Sequence, residues 1–493
     1  MKKEILRLER VTYKEQGHEF LSGMEFSVNE GEIMGLLPIN SYGLETLLRL
    51  LRENNPLYDG YVYYQDRLVN SWKDMPRSYN KITIIGDKSS LIDGQDVACN
   101  IFVLRPGFKK EIIDFSVFEK QLEPFLKEIG VDTISARTPV EKLPVFERII
   151  VELLRAVVAG HKLIIMREIS TLLSGSELER MQKIIRFYSE RGIAFIYISL
   201  HFEEILQICT KAAIMSNGTI LKTLHDSEME VDILRTCSKE YDRKVINSMR
   251  ERERRKNDEV AAVVKGLGCD VIKNLSFDIH KGECIVIQSL DQRIYKELSE
   301  MVTGEKAVTD GEILMGDGSH KLVFGRDIAV LPEQPDKTMI FPDMSCIDNL
   351  CIAVEDKVKG VWGSNKIKNS IKREYEELMG NNIFDKSVDE LTQRERYELV
   401  YMRIILQKPK VLFCMQPFRS ADMLHRLRIW ELLEMLLQRG VALIILAVNM
   451  ADSLSLADRV LRIDGRSNIE YYEKSDFSKL PVSVPWQHLY EQL

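Results

Sequence analysis

No apolar run in this sequence approaches the roughly 18 residues that a membrane-spanning helix needs. The charged start MKKEILRLER has no signal-peptide hydrophobic region. The expectation is a cytoplasmic protein, at most docked on a membrane protein at the inner face of the cell membrane. Paired cysteines are missing as well. The eight cysteines lie singly with no C-x-x-C, and the nearest two, Cys346 and Cys351, have a spacing that fits no zinc pattern. They read as reduced structural thiols, and no metal site is expected. Nor is there an excess of basic charge: a formal net charge of -7 and a pI near 5.8 argue against a nucleic-acid partner. His161, His201 and His280 have no partners at ligand spacing and read as core or surface residues. What remains is 493 residues, 45% of them apolar, which is enough for two or more cores.

The main positive signal is an internal repeat. LSGMEFSVNEGEIMGLL, from Leu21, returns as IKNLSFDIHKGECIVIQ, from Ile272. VACNIFV (Val97–Val103) returns as CIDNLCI (Cys346–Ile352), and the segment from Glu141 returns from Asp389. The offset stays near about 250 residues, which indicates two domains and not a solenoid of small units. Residues 1–238 and 261–493 are therefore expected to be tandem domains. The charge-dense stretch 239–260 reads as a solvated linker, since its acidic and basic residues interleave. In each half, buried strands such as KITIIG, KLIIM and VALIILAV alternate with helices such as FERIIVELLRAVVAG. That alternation predicts α/β domains, each with a mainly parallel sheet. The tyrosines of LYDGYVYYQDRL fit a half-buried strand with Tyr61 and Tyr63 on one face and Tyr64 on the other.

GEIMGLLPINSYGLETLLRLL (Gly31–Leu51) has the outline of a phosphate-binding loop between strand and helix, without its chemistry. G-x-x-x-x-G-K-[ST] needs a lysine for the phosphates and a hydroxyl for Mg²⁺. Gly43 fits, but Leu44 stands at the lysine and Glu45 at the hydroxyl, followed by Thr46. The corresponding stretch QSLDQRIYKEL (Gln288–Leu298) has no glycine, with Tyr295 at the lysine position and Lys296 at the hydroxyl.

The order of these pieces resembles the tandem-domain ATP-binding subunits of bacterial ABC importers for sugars such as ribose and galactose, over essentially the whole chain. It rests on the strand–GE–loop–helix unit, VACNIF, the LIIM strand, YISLHFEEI (Tyr197–Ile205), IFPDMSCIDNL (Ile340–Leu350) and DRVLRIDG (Asp458–Gly465). The resemblance implies two P-loop NTPase-like domains, each a mainly parallel sheet with antiparallel edge strands and a helical subdomain. It also implies where the functional residues should be. In the first half the glutamine that senses Mg²⁺ falls on Asp87, the magnesium-coordinating aspartate on Arg167, the general base on Glu168, and the switch histidine on Leu200, with His201 one residue late. The signature segment is LPVFE, with Pro144 at its serine and Phe146 at its glycine, where a phenylalanine would occupy the space of the approaching phosphate. In the second half the corresponding positions are Glu333, Met415, Gln416 and Asn449, and the signature segment LTQRE carries Thr392 and Arg394.

In such subunits each ATP lies between one half's P-loop and the other half's signature segment, so both composite sites are expected to be degenerate on both faces. Exchanging a lysine for Leu44 and placing Glu45 beside a polyanion replaces attraction by repulsion, about 1–4 kcal/mol per close charge pair. No ATP or Mg²⁺ is expected as cofactor and no catalysis, with Glu168 at the general-base position having nothing to activate. Ion pairs Glu45–Arg167 and Lys296–Glu333 are expected across the two former magnesium positions. Tyr13 leaves an aromatic near which an adenine could stack. The resulting expectation is a pseudo-ATPase that acts as a binding or scaffolding partner of a sugar-importer permease or a regulatory complex. The permease coupling helices would be gripped near Ser90–Asn100 and Phe115–Ile129. The alternatives are a divergent subunit that still couples ATP to carbohydrate import, and a soluble regulator that reuses the clefts.

Overall fold

The computed structural model describes residues 3–70, 80–103, 115–225, 258–289, 291–353, 361–380, 383–419, 421–450, 452–463 and 468–480, with 229, 243, 246 and 247. Most of the expected linker, 239–260, lies outside the described residues. The chain forms two compact units, Met1–Glu240 with Asp422–Leu424, and Tyr241–Ala421 with His425–Leu493.

In the first unit, the antiparallel strands β1 (Glu4–Glu15) and β2 (His18–Asn29) lead into β3 (Ile33–Pro38), which is buried along its whole length. A run buried on both faces belongs at the centre of a parallel sheet. Helix α1 (Leu44–Arg52) follows, then β4 (Asp59–Tyr64), β5 (Arg67–Leu68) and β6 (Ile82–Ile85). Helices α2 (Phe115–Glu128) and α3 (Val145–Val158) precede β7 (Leu163–Arg167), α4 (Gly175–Ser189), β8 (Ala194–Ile198), α5 (Phe202–Ile208), β9 (Lys211–Ser216) and β10 (Thr219–His225). The main sheet has the order β10-β9-β3-β8-β7-β6, parallel except for the edge strand β10, and a second sheet runs β2-β1-β4-β5. One core fills the face under α3 and α4; a second fills the space between the two sheets and α1. On β4, Tyr61 is exposed and its ring lies 6.3 Å from that of Tyr63, while Tyr64 is buried, as the alternation requires.

The second unit repeats this plan. Strands β11 (Val260–Gly268), β12 (Leu275–His280) and β13 (Cys284–Ser289) come first, then α6 (Gln292–Thr303), β14 (Asp310–Met315) and β15 (Ile328–Leu331). Helices α7 (Cys346–Cys351), α8 (Val361–Met379) and α9 (Gln393–Gln407) precede β16 (Val411–Met415), α10 (Met423–Gln438), β17 (Ala442–Ala447), β18 (Arg459–Ile463) and β19 (Ile469–Glu473). Its main sheet runs β15-β16-β17-β13-β18-β19 with β19 antiparallel, beside the small sheet β12-β11-β14. The order β3-β8-β7-β6 of the first unit thus returns as β13-β17-β16-β15. The two halves are one α/β architecture used twice.

Candidate functional site

In the first unit the turn between β3 and α1 lies at the C-terminal end of the parallel strands, where open α/β sheets place their ligands. Counting back from Gly43 by the G-x-x-x-x-G spacing puts Pro38, which has no N–H, at the first glycine. Gly43 itself has φ 80°, and a Cβ there would stand 2.4 Å from the Phe20 carbonyl oxygen, so the turn demands glycine. Leu44 does not reach over the turn; it is buried in the core beneath it. Thr46 is half-buried on α1. Asn40 closes the turn on itself: its Oδ1 accepts the Tyr42 N–H at 3.3 Å and the Asn217 N–H at 3.1 Å. One amide of the cradle is therefore already engaged.

Arg167 ends β7 and points at α1, where its Nη2 lies 2.5 Å from Glu45 Oε1. Burial works against the guanidinium's charge, but the Glu45 hydrogen bond and the carboxylates of Glu45, Glu168 and Asp87 outweigh it, and its pKa is raised. One fixed cation thus serves carboxylates from three segments. Gly86 gives it room: a Cβ there would stand 3.2 Å from that of Arg167. The expected Glu45–Arg167 pair is present. With Glu45 72% exposed, it is worth at most about 1 kcal/mol, so its importance is the place it occupies.

Glu168 has φ 47° and Gln416, its counterpart after β16, has φ 44°. A left-handed non-glycine at the same point of both halves is a repeated strained position, of the kind that marks functional sites. Leu200 and His201, after β8, are both buried. His201 N–H donates to Ser199 Oγ at 3.1 Å.

In the second unit the corresponding turn, between β13 and α6, is filled from within. Tyr295, at the lysine position, is 2% exposed. Its hydroxyl accepts the Ser289 N–H at 2.5 Å and faces the carbonyl oxygens of Ser289 at 2.7 Å and Ala447 at 2.8 Å. Burial pushes its pKa well up, so the phenol stays protonated and donates. Lys296 and Glu333 do not pair as expected. Lys296 turns out to solvent along α6, 3.6 Å from Glu300 one turn on. Glu333 is held by Gln416 Nε2 at 2.6 Å and Arg419 Nη1 at 2.6 Å. Gln416 on one carboxylate oxygen and Arg419 on the other, both from the segment after β16, leave Glu333 satisfied without a lysine fixed on the outer face of a helix. Met415, expected at the magnesium-coordinating position, is buried and offers only a thioether, a poor ligand for a hard cation. Asn449, at the switch position, is half-buried.

The signature segments also differ from expectation. Phe146 is 4% exposed, with its ring in the core and the Arg180 guanidinium 4.7 Å above it. Sequence position alone put the ring on the phosphate side, but α3 begins at Val145, and the helical turn carries Phe146 onto the buried face. Pro144 caps α3 with no side-chain hydrogen bond. In the second unit Thr392 and Glu395 form a capping box on α9, the Thr392 hydroxyl accepting the Glu395 N–H at 3.3 Å and the Glu395 carboxylate accepting the Thr392 N–H at 2.8 Å. That helix start serves its own side chains. Arg394 pairs with Glu398 at 3.3 Å.

Two residues escaped the sequence reading. Asn100 is fully buried, its Oδ1 accepting the Ile92 N–H at 2.9 Å and its amide donating to the Ile92 carbonyl at 3.3 Å. Asn349 does the same to Phe341 at 2.9 Å both ways. The shared asparagine of VACNIFV and CIDNLCI was the available signal. Each ties down the loop that precedes it, including the surface Ser90–Asn100. Tyr13 is half-buried with the Arg49 guanidinium 5.6 Å over its ring.

Comparison with known proteins agrees with this architecture. Residues 21–170 match the ABC transporter family. The chain is 25% identical to the ribose import ATP-binding protein RbsA of Clostridium perfringens, over 97% of this chain and 98% of that protein. It is 26% identical to the xylose import ATP-binding protein XylG of Burkholderia cenocepacia, over 94% and 92%. It is also 26% identical to the galactose/methyl galactoside import ATP-binding protein MglA of Clostridium tetani, over 94% of each. Among solved structures, RNase-L Inhibitor superimposes with a TM-score of 0.58 over 92% of this chain and 87% of its own, at 14% identity, a likeness of fold alone.

Proposed function

From a chain built as two tandem ABC-type ATPase domains, and similar along nearly its whole length to the ATP-binding proteins of ribose, xylose and galactose import, we propose a homologue of those subunits that binds a transport partner without hydrolysing ATP. The observation that carries this is Arg167. A permanent cation stands at the magnesium-coordinating position and is paired at 2.5 Å with Glu45, the residue that replaces the second ligand. The residues present do not fit a magnesium nucleotide. Mg²⁺ would have to displace a guanidinium, and phosphate would approach a turn that carries Leu44 in place of the lysine and Glu45 in place of the hydroxyl. Tyr295 supports the same reading for the second half, since a phosphate would have to break the hydroxyl's bond to the Ser289 amide.

The partner on this reading is an importer permease or a regulatory protein, met through the loop Ser90–Asn100 and the helical region Phe115–Ile129. The place is the cytoplasmic face of a membrane; among the described residues no helix is long and apolar enough to cross one. We place the domains at 1–238 and 261–493, with 239–260 as linker. The second reading is a divergent subunit that still couples ATP to carbohydrate import. It is favoured by the similarity to importer subunits over 97% of the chain and by the retained Glu168.

Calorimetric titration with ATP, with and without Mg²⁺, up to millimolar concentration separates the two. Absence of binding heat is expected. Magnesium-dependent binding tighter than ~100 μM, about 5.5 kcal/mol, would sink the pseudoenzyme and return the importer motor.

A further inference from the structure

At the opposite end of the second unit's sheet from the former phosphate turn lies a cavity of about 1060 Å³, at the upper end of the range that takes small molecules. Its apolar walls come from the ends of two helices and the strands that follow, Ile405, Leu436 and Val441 among them, with the buried Tyr375 from α8. Two cations stand on this lining, Lys408 after α9 and Arg439 after α10. Residues there usually serve as helix caps. The end of α10 is largely satisfied by backbone, Gly440 N–H bonding the Leu437 carbonyl at 2.9 Å and Val441 N–H that of Leu436 at 3.1 Å, while at the end of α9 the Lys408 N–H bonds the Ile404 carbonyl at 3.1 Å.

The other charges on the lining are mostly engaged. Lys281 pairs with Glu259, Lys410 lies 3.6 Å from Asp327, and Asp317 accepts the Ser319 N–H at 2.9 Å. Glu374 is exposed on α8. Lys408 and Arg439 are both exposed; Arg439 stands at the Tyr375 hydroxyl of the same lining, and no carboxylate among the described residues lies within ion-pair distance of either cation. A guanidinium and an ammonium beside an apolar cavity make a site for one anionic group attached to an apolar body.

We propose that this cavity binds a small amphipathic anion, its apolar part against Ile405, Leu436 and Val441 and its carboxylate, sulfonate or phosphate group on Lys408 and Arg439. The site lies away from the nucleotide positions, so it stands or falls apart from the question of ATP binding. The test is a fluorescence titration of the full chain with anilinonaphthalene sulfonate, followed by competition with octanoate and with 1-octanol. One saturable site is expected, displaced by octanoate and little affected by the uncharged octanol. Arg439→Glu and Lys408→Glu should each weaken the probe by about tenfold or more, and Arg439→Lys by only a few-fold. If Arg439→Glu fails to fold, Lys408→Glu, at an exposed position, carries the test. Unsaturable binding, equal displacement by octanol, or unchanged affinity in the charge-reversed variants would overturn the proposal.

Discussion

Arg167 ends a strand of the first half and Tyr295 lies on a helix of the second, and substitution of the two should affect stability very differently. Arg167 shares its charge with Glu45, which is mostly in water, so solvent screens the pair. Arg167→Ala should change the unfolding free energy by under about 1 kcal/mol. The Tyr295 hydroxyl satisfies a buried amide and faces two carbonyls. Tyr295→Phe should therefore cost about 1–3 kcal/mol, the usual penalty for stranding a buried donor. Urea unfolding of both variants checks the contrast, and an equal effect would mean that one environment has been misread. The Glu45–Arg167 pair was legible in the sequence because opposite charges stand at two positions expected to share one ion. The inward turn of Tyr295 was not, because residue type at an aligned position does not say whether a ring caps the surface or fills the turn. Phe146 shows the same limit: the helical phase decided where its ring went.

At the scale of elements, the asparagines of the repeated loop segments do more than their surroundings advertise. Asn100→Ala would leave the Ile92 N–H and carbonyl without the partner they now have. A loss of about 1–3 kcal/mol is expected, with faster amide exchange over 90–100 as the local readout. Glu297 plays a comparable role on α6. Burial opposes its charge, but the Ile272 and Val271 amides and Lys306 outweigh that and hold its carboxyl below the ordinary value of 4.5. A lowered folded-state pKa means that this contribution is present above about 4.5 and is lost as pH falls through the folded value. The melting temperature of Glu297→Gln should therefore lie below that of the parent at pH 7, with the gap closing as pH drops from 5 to 3. A gap constant across that range would contradict the assignment. The same lysine holds Glu297 and Asp270 together, so the acidic pair beside Cys269 already has its counter-ion.

Taken whole, the molecule repeats its strand order more faithfully than its site residues. The fold was legible because hydrophobic alternation, the glycines of the turns and the offset of about 250 residues all recur. The candidate site was read in the sequence as a set of departures, and what the structure places at those positions differs between halves: an ion pair in one, an inward phenol in the other. The domain division is open to a direct check. Brief digestion with trypsin should cut within the Lys- and Arg-rich 239–260 and yield two fragments of nearly equal size; early cleavage elsewhere, with that stretch left whole, would argue against it.

The pairing of Glu45 with Arg167 also bears on the history open to this sequence. Returning Arg167 to an aspartate would set a new negative charge beside Glu45, Asp87 and Glu168. Returning Glu45 to a hydroxyl would take from the guanidinium its nearest partner. Each single step back leads through a worse arrangement than the present one. The second half is barred differently, since a lysine in place of Tyr295 would strand the Ser289 amide. On the proposed reading, a lineage in this state has no downhill one-mutation road to a magnesium-nucleotide site.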